Sequence, residues 1–238
     1  MIDRIYNGVL DLNLKDIMIK AIIFDFNGTM IFDQEILEKS WTLFLKNLIH
    51  RKPTDEEFSN YIQGRNIEES IHYFLGDDVE NINTLKLEKE KIYRDFCKAD
   101  KENYKLVDGL PEFLDDLKMK NYVCAIATAS GLDNIRFHYE NLKLYKWFDW
   151  NNIIYNDYSF KGKPSPEIYE KCIQNLNLKK DECIVFEDSI SGIIAAKNAG
   201  VYKVVAINKN KMLPCEKADY IISDYKNAIK IIFTDYQI

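Results

Sequence analysis

The residues able to do chemistry fall in four short stretches, three of which close an apolar run. In Ile22-Ile23-Phe24-Asp25-Phe26-Asn27-Gly28-Thr29 a carboxylate follows a β-branched run, and a glycine then permits a tight turn. Ala127-Thr128-Ala129-Ser130-Gly131 offers hydroxyl and backbone N–H donors at an expected strand-to-helix turn, suited to a phosphate oxygen. Ser130 would serve equally well as a helix N-cap. In Lys161-Gly162-Lys163-Pro164-Ser165-Pro166, Pro164 restrains Lys163 to an extended backbone and Pro166 suits the first turn of a helix, although a lysine so placed is also at home in a surface loop. Ile184-Val185-Phe186-Glu187-Asp188-Ser189 sets two acids side by side. Such a pair is costly unless a cation neutralises it, and oxygen ligands of this charge suit Mg²⁺. Taken alone, Asp25 could be a strand-ending acid that caps a turn.

Placing these groups together requires a sheet. Apolar runs at Ala21 to Phe24, Tyr122 to Ala127, Ile153 to Tyr155, Cys183 to Phe186, Lys203 to Ile207 and Tyr220 to Ile222 predict buried parallel strands. Helix-period segments alternate with them at Pro111 to Lys120, Leu132 to Leu142, Pro166 to Leu176 and Ser189 to Ala199. Strand alternating with helix predicts an α/β fold, a Rossmann-like doubly wound parallel sheet. In such sheets ligands bind at the carboxyl ends of the strands, where the candidate residues lie. Residues 33–103 differ, with helical patterns at Ile36 to Ile49, Asp55 to Ile62, Ile67 to Phe74 and Leu85 to Ala99 and no convincing strand, so an all-helical domain is expected there. The core would then comprise residues 18–32 and 104–238, preceded by an N-terminal extension over residues 1–17.

Composition narrows the function further. Thirty-two Lys and Arg against 38 Asp and Glu leave a formal charge of −6, a poor match for nucleic acid as partner. The mid-chain stretch without charged residues, Asn121 to Leu132, is too short for a bilayer, and Asp3 and Arg4 do not suit a signal peptide. A cytoplasmic protein, without a membrane partner and acting as a monomer or weak dimer, is expected. Cys97, Cys124, Cys172, Cys183 and Cys215 are odd in number and contain no C-x-x-C pair, which predicts reduced packing residues rather than a zinc site. His50, His72 and His138 are scattered and read as structural. A Walker loop is missing, because the residue five before Gly162 is Asp157, and no G-x-G-x-x-G occurs.

In order and spacing the four motifs resemble the haloacid dehalogenase superfamily of aspartyl phosphotransferases. The resemblance runs from Met18 onward, and the helical insertion resembles the small cap of the subgroup containing β-phosphoglucomutase and many small-molecule phosphatases. It implies a Mg²⁺-dependent phosphatase of small phosphorylated metabolites. Asp25 would be the nucleophile and Thr128 the phosphate-oxygen donor, with Lys163 neutralising the charge they share. Asp188, Asp25 and the Asn27 backbone carbonyl would bind Mg²⁺, with Glu187 acting beside Asp188 through water. Gly28, Thr29, Ala129 and Ser130 would line the phosphate site, and Arg65 is the cap residue best suited to a second anionic group.

The chain departs from this pattern at Asn27, where the phosphatases carry a second Asp that moves protons to the leaving oxygen and from water. An amide cannot do so, and the missing step is worth roughly 10²- to 10⁴-fold. Three alternatives follow: a slow phosphatase, a weakened relative that binds Mg²⁺ and a phosphorylated ligand without turnover, or a β-phosphoglucomutase-like phosphotransferase. The last is disfavoured because Leu37, Ile67 and Gly131 stand where the mutase has His, Arg and Lys. Trp41 is expected to pack rather than touch substrate.

Overall fold

A computed structural model describes residues 18–63, 65–208 and 217–233. The expected N-terminal extension and Cys215 lie outside the described residues.

All six expected runs are strands: β1 (Ala21–Phe24), β2 (Val123–Gly131), β3 (Ile153–Asn156), β4 (Cys183–Glu187), β5 (Lys203–Ile207) and β6 (Tyr220–Ile222). They form one parallel sheet in the order β3-β2-β1-β4-β5-β6. Alternate side chains of β1 feed opposite cores. Ile22 and Phe24 pack with Phe113, Leu114 and Leu117 of α5 (Leu110–Met119) and Ile135 of α6 (Leu132–Asn141). Ala21 and Ile23 pack with Ile168 and Tyr169 of α7 (Glu167–Asn175) and Ala195 and Ala196 of α8 (Ile190–Ala199). A strand covered on both faces must be apolar at every position, which is why β1 reads as an uninterrupted run. Helix α9 (Ala228–Phe233) closes the described chain.

One expectation needs correcting. β2 does not turn at Ala127 but continues to Gly131, with a register shift against β3 between Ala127 and Gly131. The irregularity absorbs the extra residues while Gly131 still pairs with Asn156, so Thr128, Ala129 and Ser130 lie on a bent strand end. Ser130 is consequently not the N-cap of α6; that position is Gly131, without a side-chain cap bond.

Between β1 and β2 lie α1 (Gln34–Ile49), α2 (Asp55–Tyr61), α3 (Ile67–Leu75) and α4 (Ile82–Ala99), and no strand among the described residues. Trp41, Phe44, Leu45, Phe58, Ile62 and Ile71 form their own core. A second cluster, Ile36, Tyr93, Cys97 and Phe137, joins this helical unit to α6. The two chain passes into it lie side by side: Ile31 bridges Leu106, and the Val107 N–H donates to the Met30 carbonyl at 2.9 Å. Cys97, Cys124, Cys172 and Cys183 are buried and free, as packing residues should be. His138 is buried against Phe26 with ring centroids 4.6 Å apart, and burial drives its imidazole down to about 3, leaving it neutral.

Candidate active site

Strand order reverses beside β1, where the chain has gone to β2 on one side and β4 lies on the other, and sheets of this kind bind ligands in the crevice outside the carboxyl ends of the strands at that point. Asp25 is the first residue past β1, and its N–H extends the ladder by donating to the Phe186 carbonyl at 3.0 Å. Glu187 ends β4, so the two acids and Asp188 are neighbours by register. Lys163 enters from the segment between β3 and α7, places Nζ 2.5 Å from Asp25 Oδ1 and pairs also with Glu187 Oε1. Glu187 is fully engaged: Tyr169 Oη donates to Oε1 at 2.7 Å, and Oε2 accepts the Asp188 N–H at 2.9 Å, the Ser189 N–H at 3.0 Å and Ser189 Oγ at 3.1 Å. Two glycines make room for these acids. A Cβ at Gly28, whose φ is +79°, would collide with the Asp188 carboxyl, and one at Gly192 with that of Glu187.

Burial raises the Asp25 carboxyl, and Lys163 only partly offsets it. Burial also acts on Glu187, but the Lys163 charge and the surrounding donors outweigh it and hold Glu187 below the usual range. Against burial, the charges of Asp25 and Glu187 keep the Lys163 ammonium firmly protonated. Asp188 is pushed well above the ordinary carboxylate range by burial and by Glu187 and Asp25, and its side chain receives a hydrogen bond from Thr29 Oγ1 at 3.3 Å. Three carboxylates thus face a single ammonium. Ligand oxygens from Asp25, Glu187 and Asp188 all lie within 4.8 Å of one another. The set is all oxygen and crowded with like charge, a chemistry that fits a hard divalent cation such as Mg²⁺.

The other flank of the crevice is closed on itself. Asn27 Nδ2 donates to Asp33 Oδ2 at 2.7 Å and to Tyr93 Oη at 3.1 Å, while its Oδ1 accepts from Ser130 Oγ at 2.8 Å. Tyr93 Oη in turn donates to Asp33 Oδ2 at 2.5 Å. Burial raises the Asp33 carboxyl, and the bonds from Tyr93 and Asn27 pull it back only in part. Thr128 is buried, and its Oγ1 accepts the Ser130 N–H at 3.1 Å, which leaves its own proton to donate.

The structure therefore gathers Asp25, Gly28, Thr29, Lys163, Glu187 and Asp188 on one flank and Asn27 and Ser130 on the other, with Thr128 beside Ser130 and Ala129 exposed between them. It does not bring in Arg65, which is exposed in the α2–α3 loop and whose Nε donates to the Asn60 carbonyl at 3.1 Å. Sequence reasoning missed Asp33, Tyr93, Tyr169 and Gly192. Only Asp33 carried a usable signal, an acid at the helical junction six residues after Asn27; Tyr93 and Tyr169 are ordinary core aromatics in one dimension.

Comparison with known proteins bears on this arrangement. The family described as haloacid dehalogenase-like hydrolase matches residues 22–207. A phosphorylated carbohydrates phosphatase of Thermotoga maritima is 27% identical, over 79% of this chain and 85% of that protein. A crystal structure of a HAD hydrolase, family IA, variant 3, from Entamoeba histolytica superposes with a TM-score of 0.78 at 32% identity, covering 88% of this chain and 95% of that one. A β-phosphoglucomutase from Clostridium difficile shares the fold, with a TM-score of 0.76 at 21% identity over 92% of this chain and 99% of its own. With an acid directly after β1, a paired acid at the end of β4 and a helical insertion between β1 and β2, the chain belongs to the haloacid dehalogenase-like hydrolase family and takes its place among that family's phosphatases.

Proposed function

We propose that the protein is a cytoplasmic, Mg²⁺-dependent phosphatase of small phosphorylated metabolites, working as a monomer or weak dimer through phosphorylation of Asp25. The cluster of Asp25, Lys163, Glu187 and Asp188 at the sheet's reversal point carries this reading. An Asp25 oxygen attacks phosphorus in line, the bond to the leaving oxygen breaks, and water later cleaves the aspartyl phosphate. Lys163 holds Asp25 in place and offsets charge on the phosphoryl oxygens, and the Thr128 hydroxyl, with the backbone around Gly28, Thr29, Ala129 and Ser130, donates to them. Asp25, Asp188 and the Asn27 backbone carbonyl would hold Mg²⁺ with Glu187 beside them, and the ion would supply positive charge against the carboxylates and the phosphoryl group. Arg65 would meet a second anionic group on a longer substrate.

Asn27 offers no proton, so turnover is expected to be reduced by roughly 10²- to 10⁴-fold against a site with a carboxylic acid there. A second reading, a protein that binds Mg²⁺ and a phosphorylated ligand without turning it over, is favoured by the Asn27 amide, whose nitrogen and oxygen are both hydrogen-bonded inside the protein. Phosphotransfer of the mutase kind is not favoured, since Leu37 and Ile67 pack into the apolar cluster of the helical unit. Phosphate release from a panel of phosphomonoesters, with Mg²⁺ or chelator, separates these readings. Release that chelator and Asp25→Asn both abolish supports the phosphatase; binding of inorganic phosphate with no release identifies the binder.

A further inference from the structure

We propose that Asn27 and Asp33 are a matched amide–carboxylate pair, clamped by Tyr93, that positions residue 27 and fastens α4 to the catalytic loop. On this view the amide at position 27 is what Asp33 requires, not merely an acid lost. At Asn27 the amide nitrogen lies within hydrogen-bond distance of both Asp33 Oδ2 and Tyr93 Oη, and the side-chain carbonyl accepts from Ser130 Oγ. Asp33 Oδ2 collects both Asn27 Nδ2 and Tyr93 Oη, so three groups meet around one oxygen. They come from the catalytic loop, the junction before α1 and the last helix of the inserted unit. Asp33 and Tyr93 are 4% and 2% exposed, so water does not replace these bonds. Asp33 occupies the N-cap position of α1, where an aspartate ordinarily accepts the helix's own N–H groups, yet it makes no side-chain cap bond. Its carboxylate is turned to Asn27 and Tyr93 instead, and the α1 cap is forgone for that contact.

Reinstating a carboxylate at position 27 would set two acids at the spacing now bridged by an N–H. Two buried carboxyls at that distance must either move apart or take up a proton that the amide makes unnecessary. Other contacts between the inserted helices and the core, such as Arg94 Nη1 to Asn134 Oδ1 at 2.7 Å and Lys86 over the Tyr158 ring at 4.2 Å, involve none of the acidic cluster. Tyr93 is the contact that reaches the catalytic loop directly. A charge exchange repairs the arrangement: with Asn at 33 and Asp at 27, the amide donates from the other side, and Tyr93 Oη and Ser130 Oγ both find acceptors on position 27.

The test compares the native protein with Asn27→Asp, Asp33→Asn, Tyr93→Phe and the double variant Asn27→Asp/Asp33→Asn by hydrogen–deuterium exchange, without substrate. The α4 peptide over Ile82–Ala99 is the reporter, and the β4 peptide over Cys183–Glu187 is the control for intact folding. Asn27→Asp is expected to speed α4 exchange by about tenfold or more, the size of one lost charge-assisted hydrogen bond, with β4 still protected. Tyr93→Phe should speed it severalfold and carries the test if Asn27→Asp does not fold. The double variant should return to near the native rate, and rescue of this kind is something loss of packing alone would not show. Native exchange in both Asn27→Asp and Tyr93→Phe, or a double variant no better protected than Asn27→Asp, overturns the proposal. The positioning role rests on the phosphatase reading only in its kinetic arm: Asn27→Asp and the double variant carry the same acid at position 27, so the double variant, with the contact to Asp33 restored, should exceed Asn27→Asp in kcat/KM for p-nitrophenyl phosphate. A protein that shows the exchange pattern and releases no phosphate keeps the clamp and loses the phosphatase; one that releases phosphate without the pattern does the reverse.

Discussion

The two flanks of the crevice solve the same physical problem, buried polar groups at strand ends, in opposite ways. Around Asp25, Glu187 and Asp188 the acids outnumber their single cation Lys163, and Asp188 is raised far above its ordinary range. Around Asn27 the donors and acceptors of Asp33, Tyr93 and Ser130 cancel within the protein. The first flank is crowded with like charge, the condition of a site that takes a ligand; the second has its donors and acceptors matched to one another, the condition of a joint. The two conditions stand on the two sides of one loop, with Asp25 and Asn27 only two residues apart.

The largest test of that division is Asp25→Asn, which should lower phosphate release by about 10³-fold or more in a discontinuous phosphate assay while leaving α4 exchange native. Should exchange change as much as turnover, the flanks are not separate. Lys163→Met removes the one cation from two buried acids and is expected to cost about 3–5 kcal/mol in denaturant unfolding, part of it recovered by Mg²⁺. Mg²⁺ itself should raise the thermal midpoint of the native protein, by the equivalent of about 2.7 kcal/mol at a hundred times its Kd, and should do so far less in Asp188→Asn. An equal Mg²⁺ shift in both proteins would remove Asp188 from the ligand set.

His138 offers a gentler test on the side of the joint, since it packs on Phe26 and its Nδ1 lies 2.8 Å from Tyr104 Oη. Burial lowers its folded value from 6.5 to about 3, so between these limits the unfolded chain binds the extra proton. Stability is then full above pH 6.5 and falls as pH drops toward 3, by up to about 1.4 kcal/mol per pH unit from this one group. His138→Phe should flatten the profile in that window, measured by urea unfolding at several pH values. The smallest effect is expected from Arg65→Ala, within about 0.5 kcal/mol in stability, with a raised KM confined to substrates carrying a second anionic group.

How much of this was legible in the sequence differs between the flanks for a physical reason. β1 and β4 are covered on both faces, so their β-branched runs and the acids that end them are visible in one dimension, and the parallel register of Phe24 with Phe186 then sets Asp25 beside Glu187 without further instruction. Lys163 announced itself through Pro164 and Pro166. Asp33 and Tyr93 are sixty residues apart and meet only because α4 folds back over the junction, so no spacing rule could pair them. Thr128 to Ser130 were expected in a turn and lie on a bent strand, because a register shift depends on the neighbouring β3 rather than on local residue types.

The sequence by itself determined the alternation of strand and helix, the helical insertion and the four reactive stretches, because each follows from local periodicity and from residues whose chemistry is fixed by type. Only the tertiary structure decided which partners Asn27 meets. A side chain's role is set by the partners it meets, and those partners were brought to it by packing from α4, from the α1 junction and from the end of β2.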